Sequence, residues 1–167
     1  FSLAGTLAQV ALTPVWSAVT KAFYEKSYGW LRQLYRKCLL LMLPVLGGQL
    51  LLACLLQPVV DLWLGTKAIQ VRYDFALVFA LWGVLFTFQN VLSTFACGLG
   101  RLKLQLGFYA ASVAAKYIFL ILAYQYTDNW ILVILSNVIV MLPYCIAQHI
   151  QLQKIFGTME ALSLIHI

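Results

Sequence analysis

Five stretches of the chain are each mostly apolar over about the 20 residues that a helix needs to cross the hydrocarbon core of a membrane. Hydrophobic residues make up 63% of the 167 residues and charged residues only 10%, whereas soluble domains carry roughly 25% charged residues. The sequence therefore predicts an all-α polytopic membrane protein with five transmembrane helices. The predicted spans are residues 1–20, 39–64, 75–99, 104–123 and 130–150.

The loops between these spans alternate in their content of lysine and arginine. The first loop has Glu25 as its only acid and holds five of the eleven basic residues: Lys21, Lys26, Arg32, Arg36 and Lys37. Loops on one side carry five, two and one basic residues, and loops on the other side carry two and none. Since basic loops stay in the cytoplasm, we predict a multi-pass protein of the inner (cytoplasmic) membrane, with its N-terminus outside and its C-terminus cytoplasmic. This topology accounts for the net charge of +6, so no nucleic-acid partner is predicted.

The end of the basic loop is amphipathic from Trp30 onward. Its apolar residues share one helical face, namely Trp30, Leu31, Leu34, Tyr35 and Cys38. This pattern predicts a short helix that lies along the inner membrane interface and leads into the span 39–64. At the inner end of the last span, His149 is predicted to be an interfacial residue rather than a ligand.

The sequence contains none of the motifs that would indicate an enzyme. It has no GxGxxG, no P-loop and no HExxH, and its four cysteines lack the paired spacing of metal sites. These cysteines are far apart, at Cys38, Cys54, Cys97 and Cys145. We therefore predict no covalent chemistry, no disulfide, no metal and no cofactor.

Polar residues recur every three or four positions along four of the five spans, which places them on one face of each helix. The first span carries Ser2, Thr6, Gln9, Thr13, Ser17 and Thr20, and the third carries Gly83, Thr87, Asn90, Thr94 and Cys97. The fourth carries Gln105, Tyr109, Ser112 and Lys116, and the fifth carries Asn137, Met141, Tyr144 and Gln148. Because hydrocarbon cannot hydrogen-bond these groups, the stripes should face the interior of the helix bundle.

Two interpretations of the stripes remain open. Small and hydroxyl residues let membrane helices approach closely, and such packing explains Gly83, Thr87 and most of the first span. A polar cavity shared by several helices would instead explain the larger polar side chains, which packing alone does not require. These larger residues are Gln9, Asn90, Gln105, Lys116, Asn137 and Gln148.

Two segments resemble a known transporter family. Residues 13–37 are similar to the basic loop of bacterial polysaccharide and O-antigen flippases, in the multidrug/oligosaccharidyl-lipid/polysaccharide exporter superfamily. Their sequence is TPVWSAVTKAFYEKSYGWLRQLYRK. Residues 80–105, ALWGVLFTFQNVLSTFACGLGRLKLQ, are similar to one helix of that family. This helix has a central Asn and is followed by a turn that contains glycine and a basic residue and precedes a Gln. Here these residues are Asn90, Gly98, Gly100, Arg101 and Gln105. The resemblance covers residues 3–156.

The chain departs from the family pattern at three places. Residues 26–29 replace the usual Gly-Asp pair of the basic loop, and residues 127–130 replace a Gly-rich entry to the last helix. Lys116 stands where the family commonly has a neutral polar residue, often Asn. These departures affect the expected substrate more than the expected fold.

The resemblance implies a flippase that moves an oligosaccharide, carried on a polyprenyl diphosphate, from the inner to the outer leaflet. It implies alternating access between two six-helix lobes, with residues 1–161 forming most of the second, C-terminal lobe of a twelve-helix transporter. The implied partners are the lipid-linked oligosaccharide, membrane lipids and a coupling ion, either a proton or sodium. Residues 162–167, LSLIHI, resemble the translation of a sequencing adapter and are expected to be a non-native tail.

Other functions agree less well with the sequence than the flippase does. A multidrug or cation exporter of the same fold would prefer an acidic cavity, but the acids near the spans lie at outer ends, at Asp61, Asp74 and Asp128. A membrane-embedded transferase would need acidic or histidine residues at a membrane face, and the sequence offers almost none. A structural membrane subunit remains an alternative.

The predicted substrate-binding residues are Lys116, Gln105, Asn90, Gln9 and Asn137. Lys116 lies past the middle of the span 104–123, where a charged residue costs about 2.5–3.5 kcal/mol to insert. Its ammonium could receive the diphosphate of a lipid-linked sugar as a compact point charge. The alternatives are a carboxylate partner outside this sequence, or a lysine held neutral by burial.

Overall fold

The structure is a computed structural model, and it describes residues 2–65, 70–125 and 130–165. It is 90% helical, and the described residues form no strand, so the predicted all-α class is confirmed. The helices are α1 (Ser2–Tyr24), α2 (Tyr28–Leu40), α3 (Met42–Cys54), α4 (Leu56–Leu64), α5 (Tyr73–Gly98), α6 (Lys103–Tyr124) and α7 (Ile131–Ile165).

Four helical segments within the described residues are long and apolar enough to cross a membrane. They are Tyr28–Cys54, Tyr73–Gly98, Lys103–Tyr124 and Ile131–Met159. The last three agree with the predicted spans 75–99, 104–123 and 130–150. The first predicted span, 1–20, is helical from Ser2 onward as part of α1. It is not one of the four segments, so its crossing of the membrane stays a prediction.

The second predicted span, 39–64, differs from the structure. The chain is already helical from Tyr28, and α2 runs into α3 through Leu41, whose backbone dihedrals are also α-helical. The apolar segment is therefore Tyr28–Cys54, which begins about three helical turns before residue 39. α4 follows after a single residue, Leu55.

The last helix also differs from its predicted span. α7 continues to Ile165, well beyond residue 150, and so it includes Glu160, an acid that the sequence interpretation left out. The helix reaches into the expected tail 162–167, whose last two residues lie outside the described part of the chain. Helix formation does not test whether this tail is native.

Contacts at the helix ends bring most of the positive charge to one end of the bundle. Thr20, near the end of α1, donates a hydrogen bond to the carbonyl of Gly98 at the end of α5 (3.2 Å). At the opposite end, the rings of Phe75 and Trp130 stack at 4.6 Å, at the beginnings of α5 and α7. The basic end carries Lys21, Lys26, Arg32, Arg36, Lys37, Arg101, Lys103 and Lys154.

This arrangement agrees with the charge alternation in the sequence. Arg72 lies at the other end, where it pairs with Asp74 at 2.6 Å. Lys67 and Asp128, assigned to that end from the sequence, lie outside the described residues. Which end faces the cytoplasm stays a prediction.

α5 is the central helix, since it packs against α1, α2, α3 and α7. Two of its glycines allow this close approach: a Cβ on Gly83 would lie 2.8 Å from Gln49 Nε2, and one on Gly98 would lie 2.5 Å from Val19 Cγ1. The Thr87 hydroxyl donates to the carbonyl of Gly83 (2.9 Å). Packing therefore explains these positions, as the first interpretation of the stripes expected.

Part of the amphipathic face of α2 packs against the rest of the bundle, whereas Trp30 on the same face is 47% exposed. Whether α2 lies along the membrane interface stays a prediction. Leu31, Tyr35 and Cys38 are almost completely buried against the protein. The Tyr35 ring lies between Phe95 of α5 and Phe156 of α7, with centroid distances of 5.0 and 5.3 Å. An apolar helical face signals burial, but the sequence does not tell whether lipid or protein covers it.

His149 also packs within the bundle, and whether it lies at the membrane interface stays a prediction. Its Nδ1 lies 2.7 Å from the Tyr35 hydroxyl, in a hydrogen bond that joins α2 to α7. The imidazole ring is half-buried and lies next to the Tyr35 and Phe88 rings.

Candidate functional site

The polar stripes of α6 and α7 face each other in an antiparallel register. Lys116 contacts Asn137, and seven residues away along each helix the rings of Tyr109 and Tyr144 lie 5.3 Å apart. The same register sets Ser112 opposite Met141 and Gln105 opposite Gln148. We call these eight residues the α6–α7 polar interface.

Lys116 has a neutral partner in this interface. Its Nζ donates a hydrogen bond to Oδ1 of Asn137 over 2.8 Å, and both side chains are half-buried. Lys116 lies about 20 Å along the helix axis from the start of α6 and about 12 Å from its end. Among the described residues the resolved ion pairs, Lys21–Glu25 and Arg72–Asp74, lie at the ends of the bundle. Asn137 accepts from one of the three N–H donors of the ammonium. The other two donors remain for hydrogen bonds to an anion.

Two helical turns along α6 from this pair, α5 contributes two polar side chains to the interface. Gln89 Nε2 donates to the Tyr109 hydroxyl (2.8 Å). Gln105 Nε2 donates to Ser93 Oγ (2.8 Å) and also approaches the Tyr109 hydroxyl (3.2 Å). Hydrogen bonds between neutral groups therefore connect α5 to α6, and the Lys116–Asn137 hydrogen bond connects α6 to α7.

An open cavity of about 370 Å³ lies among α5, α6 and α7, beside these groups. Its polar lining comes from Gln89, Tyr109, Ser112 and Tyr144. Its remaining lining comes from Val113, Val140 and Met141. The cavity begins about one turn from Lys116, since Ser112 precedes Lys116 by four residues.

Two buried amide oxygens at the end of the interface lack a hydrogen-bond donor. Gln105 is 9% exposed and Gln148 is 0% exposed, and neither Oε1 atom has a partner in the structure. The Nε2 atom of Gln148 does have one, since it donates to Gln151 Oε1 (3.0 Å). A buried acceptor without a donor costs about 1–3 kcal/mol, and neither glutamine is among the residues that line the cavity.

A second polar cleft, of about 280 Å³, lies between α1 and α5. Gln9, which is exposed, and Asn90 both line it, and Nδ2 of Asn90 is buried without an acceptor. Its other polar lining residues are Thr13, Ser93, Thr94 and Cys97. Ser93 also binds Gln105, so this cleft adjoins the α6–α7 polar interface through one side chain.

The five predicted site residues therefore fall into two groups. Gln9 and Asn90 line the α1–α5 cleft, with Gln105 connected to it through Ser93. Lys116 and Asn137 form a separate pair, with Lys116 about 16 Å along α6 from Gln105. The cavity interpretation did not distinguish these two groups, and substrate binding by either of them stays a prediction.

Sequence reasoning missed the contribution of Gln89 and Ser93. The stripe assigned to the third span ran through Asn90 and Thr94, one residue further along the chain on a neighbouring face. Gln89, Ser93 and Cys97 have the same four-residue spacing, and this second periodicity could have identified them.

The described residues contain no group of three or more His, Cys, Asp or Glu side chains that could hold a metal ion. The site is built instead from amides, phenols, hydroxyls and one ammonium. No protein-family model matches the chain, and neither the curated proteins nor the solved structures contain a significant match to it.

Proposed function

We propose that this chain is part of a flippase that moves a polyprenyl-diphosphate-linked oligosaccharide across the inner membrane for polysaccharide or O-antigen export. In this proposal residues 1–161 provide five spans of the second lobe of a twelve-helix, alternating-access transporter. The observation that carries the proposal is the Lys116–Asn137 pair, an ammonium within an apolar helix whose hydrogen-bond partner is neutral.

A neutral partner matters because it leaves the positive charge of Lys116 uncompensated. A carboxylate would hold the ammonium in a closed ion pair, and a substrate anion would have to compete with that charge. The Asn137 oxygen is a weaker competitor, since it carries no net charge and so lacks the Coulombic attraction that a carboxylate adds to the hydrogen bond. A diphosphate can therefore displace Asn137 from Lys116 or bind beside it.

The same pair provides a way to release the substrate. When the diphosphate leaves, the ammonium returns to Asn137 and does not remain buried without a partner, which would cost several kcal/mol. Transport requires binding that is strong enough to admit the substrate and weak enough to release it. No bond is made or broken, so the proposal involves no covalent step and no cofactor.

The alternative, a multidrug or cation exporter of the same fold, receives less support. A cationic substrate would need carboxylates in the cavity, and the described acidic side chains lie towards the ends of the helices, at Glu25, Asp61 and Asp74. A cation entering the α6–α7 polar interface would also meet the like charge of Lys116.

The test is glycan export from cells that depend on the intact transporter. Lys116→Ala should reduce export at least about tenfold, because a charge-assisted hydrogen bond is worth about 1.5–3 kcal/mol. Lys116→Arg should retain part of the activity, since the positive charge survives. Lys103→Ala is the matched control, because Lys103 is an exposed lysine at the start of the same helix, and it should export normally.

Protein level in the membrane is measured for every variant. Normal export from Lys116→Ala would refute the role of Lys116. Loss of Lys116→Ala protein from the membrane would indicate that the lysine serves stability instead.

A further inference from the structure

The cavity among α5, α6 and α7 has mostly apolar walls and contains a buried hydroxyl group without a hydrogen-bond partner. Its lining includes the rings of Tyr109 and Tyr144 and the side chains of Val113, Val140 and Met141. Tyr144 is 1% exposed, and its hydroxyl has no hydrogen-bond partner among the described residues. A volume of about 370 Å³ with apolar walls and a few polar groups is typical of sites for small apolar ligands.

The polar groups of this cavity are rich in hydrogen-bond donors. The Tyr109 oxygen receives N–H groups from Gln89 (2.8 Å) and Gln105 (3.2 Å), so both of its lone pairs are used and its own hydrogen can be donated. The Tyr144 hydroxyl also has a hydrogen to donate. The described residues that line the cavity include no charged side chain. The cavity therefore suits an uncharged group that accepts hydrogen bonds.

The cavity is reached from the exposed side of α6. Gln105 is the one buried residue of this helix, and Val113, which lines the cavity, is exposed. Since α6 is long and apolar enough to cross a membrane, its exposed side meets lipid chains when the helix lies in a bilayer. A ligand that enters from this side comes from the bilayer.

Tyr109 and Tyr144 lie at the depth of lipid ester groups. Tyr109 is about 9 Å along the axis from Lys103, the first residue of α6 at the basic end, and the Tyr144 ring is 5.3 Å from the Tyr109 ring. Each head-group layer of a bilayer is roughly 5–8 Å thick. With the start of α6 among the head groups, both phenols lie just inside the hydrocarbon boundary. Ester carbonyls are found at this boundary, and they accept hydrogen bonds but cannot donate them.

We propose that this cavity binds an acyl chain of a membrane phospholipid and that the ester carbonyl of that chain accepts a hydrogen bond from Tyr144. The Tyr109 hydroxyl is the second donor available to the ester. The inference requires only that the helices lie in a membrane. It does not depend on Lys116 or on the proposed transport function, so either can fail without the other.

The lining residues leave a path for the acyl chain from this ester towards the middle of the membrane. On α6, Val113 lies about 6 Å further from the basic end than Tyr109 does. On α7, which runs in the opposite direction, Val140 lies about 6 Å further from that end than Tyr144 does. The apolar part of the cavity is therefore on the side towards which an acyl chain extends.

The experiment compares two lipids that differ only in the proposed hydrogen-bond acceptor. Dioleoyl phosphatidylcholine has ester carbonyls, and its dioleyl ether analogue has the same head group and chain length without them. The head group has no net charge, so the basic end of the bundle does not select between the lipids. Dissociation constants for the intact protein in detergent are measured by native mass spectrometry. We expect the ester lipid to bind about fivefold more tightly than the ether lipid.

Variants of the two phenols assign this preference to the cavity. Tyr144→Phe should weaken binding of the ester lipid alone, and the double variant Tyr109→Phe/Tyr144→Phe should bind both lipids equally. Because the Tyr144 hydroxyl has no hydrogen-bond partner, Tyr144→Phe should not lower thermal stability in lipid-free detergent. Tyr117→Phe is the matched control, since Tyr117 is an exposed tyrosine of α6 outside the cavity, and it should keep the wild-type preference.

A larger side chain at Val113 tests the path of the acyl chain. Val113 is exposed, so Val113→Phe can enter the cavity without disturbing the buried core, and it should weaken both lipids by a similar factor. Equal affinity of the wild-type protein for the two lipids would overturn the inference and would indicate that no ester reaches the phenols. A preference that survives in Tyr109→Phe/Tyr144→Phe, or unchanged binding of both lipids by Val113→Phe, would also overturn it.

Discussion

The close packing of α1 on α5 gives a prediction whose size follows from the structure. A Cβ on Gly98 would lie 2.5 Å from Val19 Cγ1, against 3.4–4 Å for an ordinary contact, so Gly98→Ala requires a shift of at least about 0.9 Å. Val19 is completely buried and β-branched, so its side chain cannot easily rotate away. Such overpacking costs about 1–3 kcal/mol, of which the better helix propensity of alanine recovers at most about 1 kcal/mol.

We therefore expect Gly98→Ala to lower the free energy of unfolding by about 1–2 kcal/mol. The matched control is Gly107→Ala on α6, where a Cβ would meet nothing within 4 Å. It should be neutral or stabilising by up to about 1 kcal/mol. Both values can be measured by reversible unfolding of the purified protein, titrated with SDS in mixed micelles.

A double-mutant cycle identifies the contact responsible. In a Val19→Ala background the Cγ1 atom is gone, so adding Gly98→Ala should cost less than it does alone. It should not become neutral, because the Cβ of residue 19 stays at 2.9 Å and the Trp16 carbonyl oxygen at 3.3 Å from the new methyl group. Equal stabilities for Gly98→Ala and Gly107→Ala would refute the packing of α1 on α5. A Gly98→Ala cost unchanged by Val19→Ala would refute the specific contact.

Two further predictions concern the hydrogen bond between α2 and α7 and the orientation of the chain. Tyr35→Phe removes the partner of His149 Nδ1 and should lower the free energy of unfolding by about 1 kcal/mol, within the range measured for membrane proteins. The exposed Tyr24 is the control, and a Tyr24→Phe effect of equal size would contradict the Tyr35 prediction. In a protein whose natural cysteines are replaced by alanine, cysteines at Lys26 and Gly100 should be protected from an impermeant thiol reagent in intact cells. Cysteines at Thr66 and Asn129, outside the described residues, should react, and the reverse pattern would invert the topology.

The helices were predictable wherever hydrophobicity alone decides the structure. The spans 75–99 and 104–123 are continuous apolar runs bounded by charged residues, and α5 and α6 follow them closely. The boundaries between α2, α3 and α4 were not predictable, because the chain passes through Leu41 and Leu55. Leucine is a good helix former, so the sequence carries no local signal at either position.

The candidate site was predictable in part for a related reason. Helical periodicity correctly assigned Gln105, Tyr109, Ser112 and Lys116 to one face of α6. It could not tell which helix that face would meet, or in which register. The pairing of Lys116 with Asn137 depends on the antiparallel packing of α6 on α7, which is a property of the folded bundle.

The most direct test of the role of Lys116 is translocation in proteoliposomes that contain the intact protein and a fluorescent polyprenyl-diphosphate-linked glycan. Transfer between leaflets is followed by the fraction of glycan that an added glycan-binding protein can reach. We predict that the wild-type protein and Lys103→Ala transfer the glycan, that Lys116→Arg does so slowly, and that Lys116→Ala does not exceed protein-free liposomes. Transfer by Lys116→Ala at the wild-type rate would contradict the proposal.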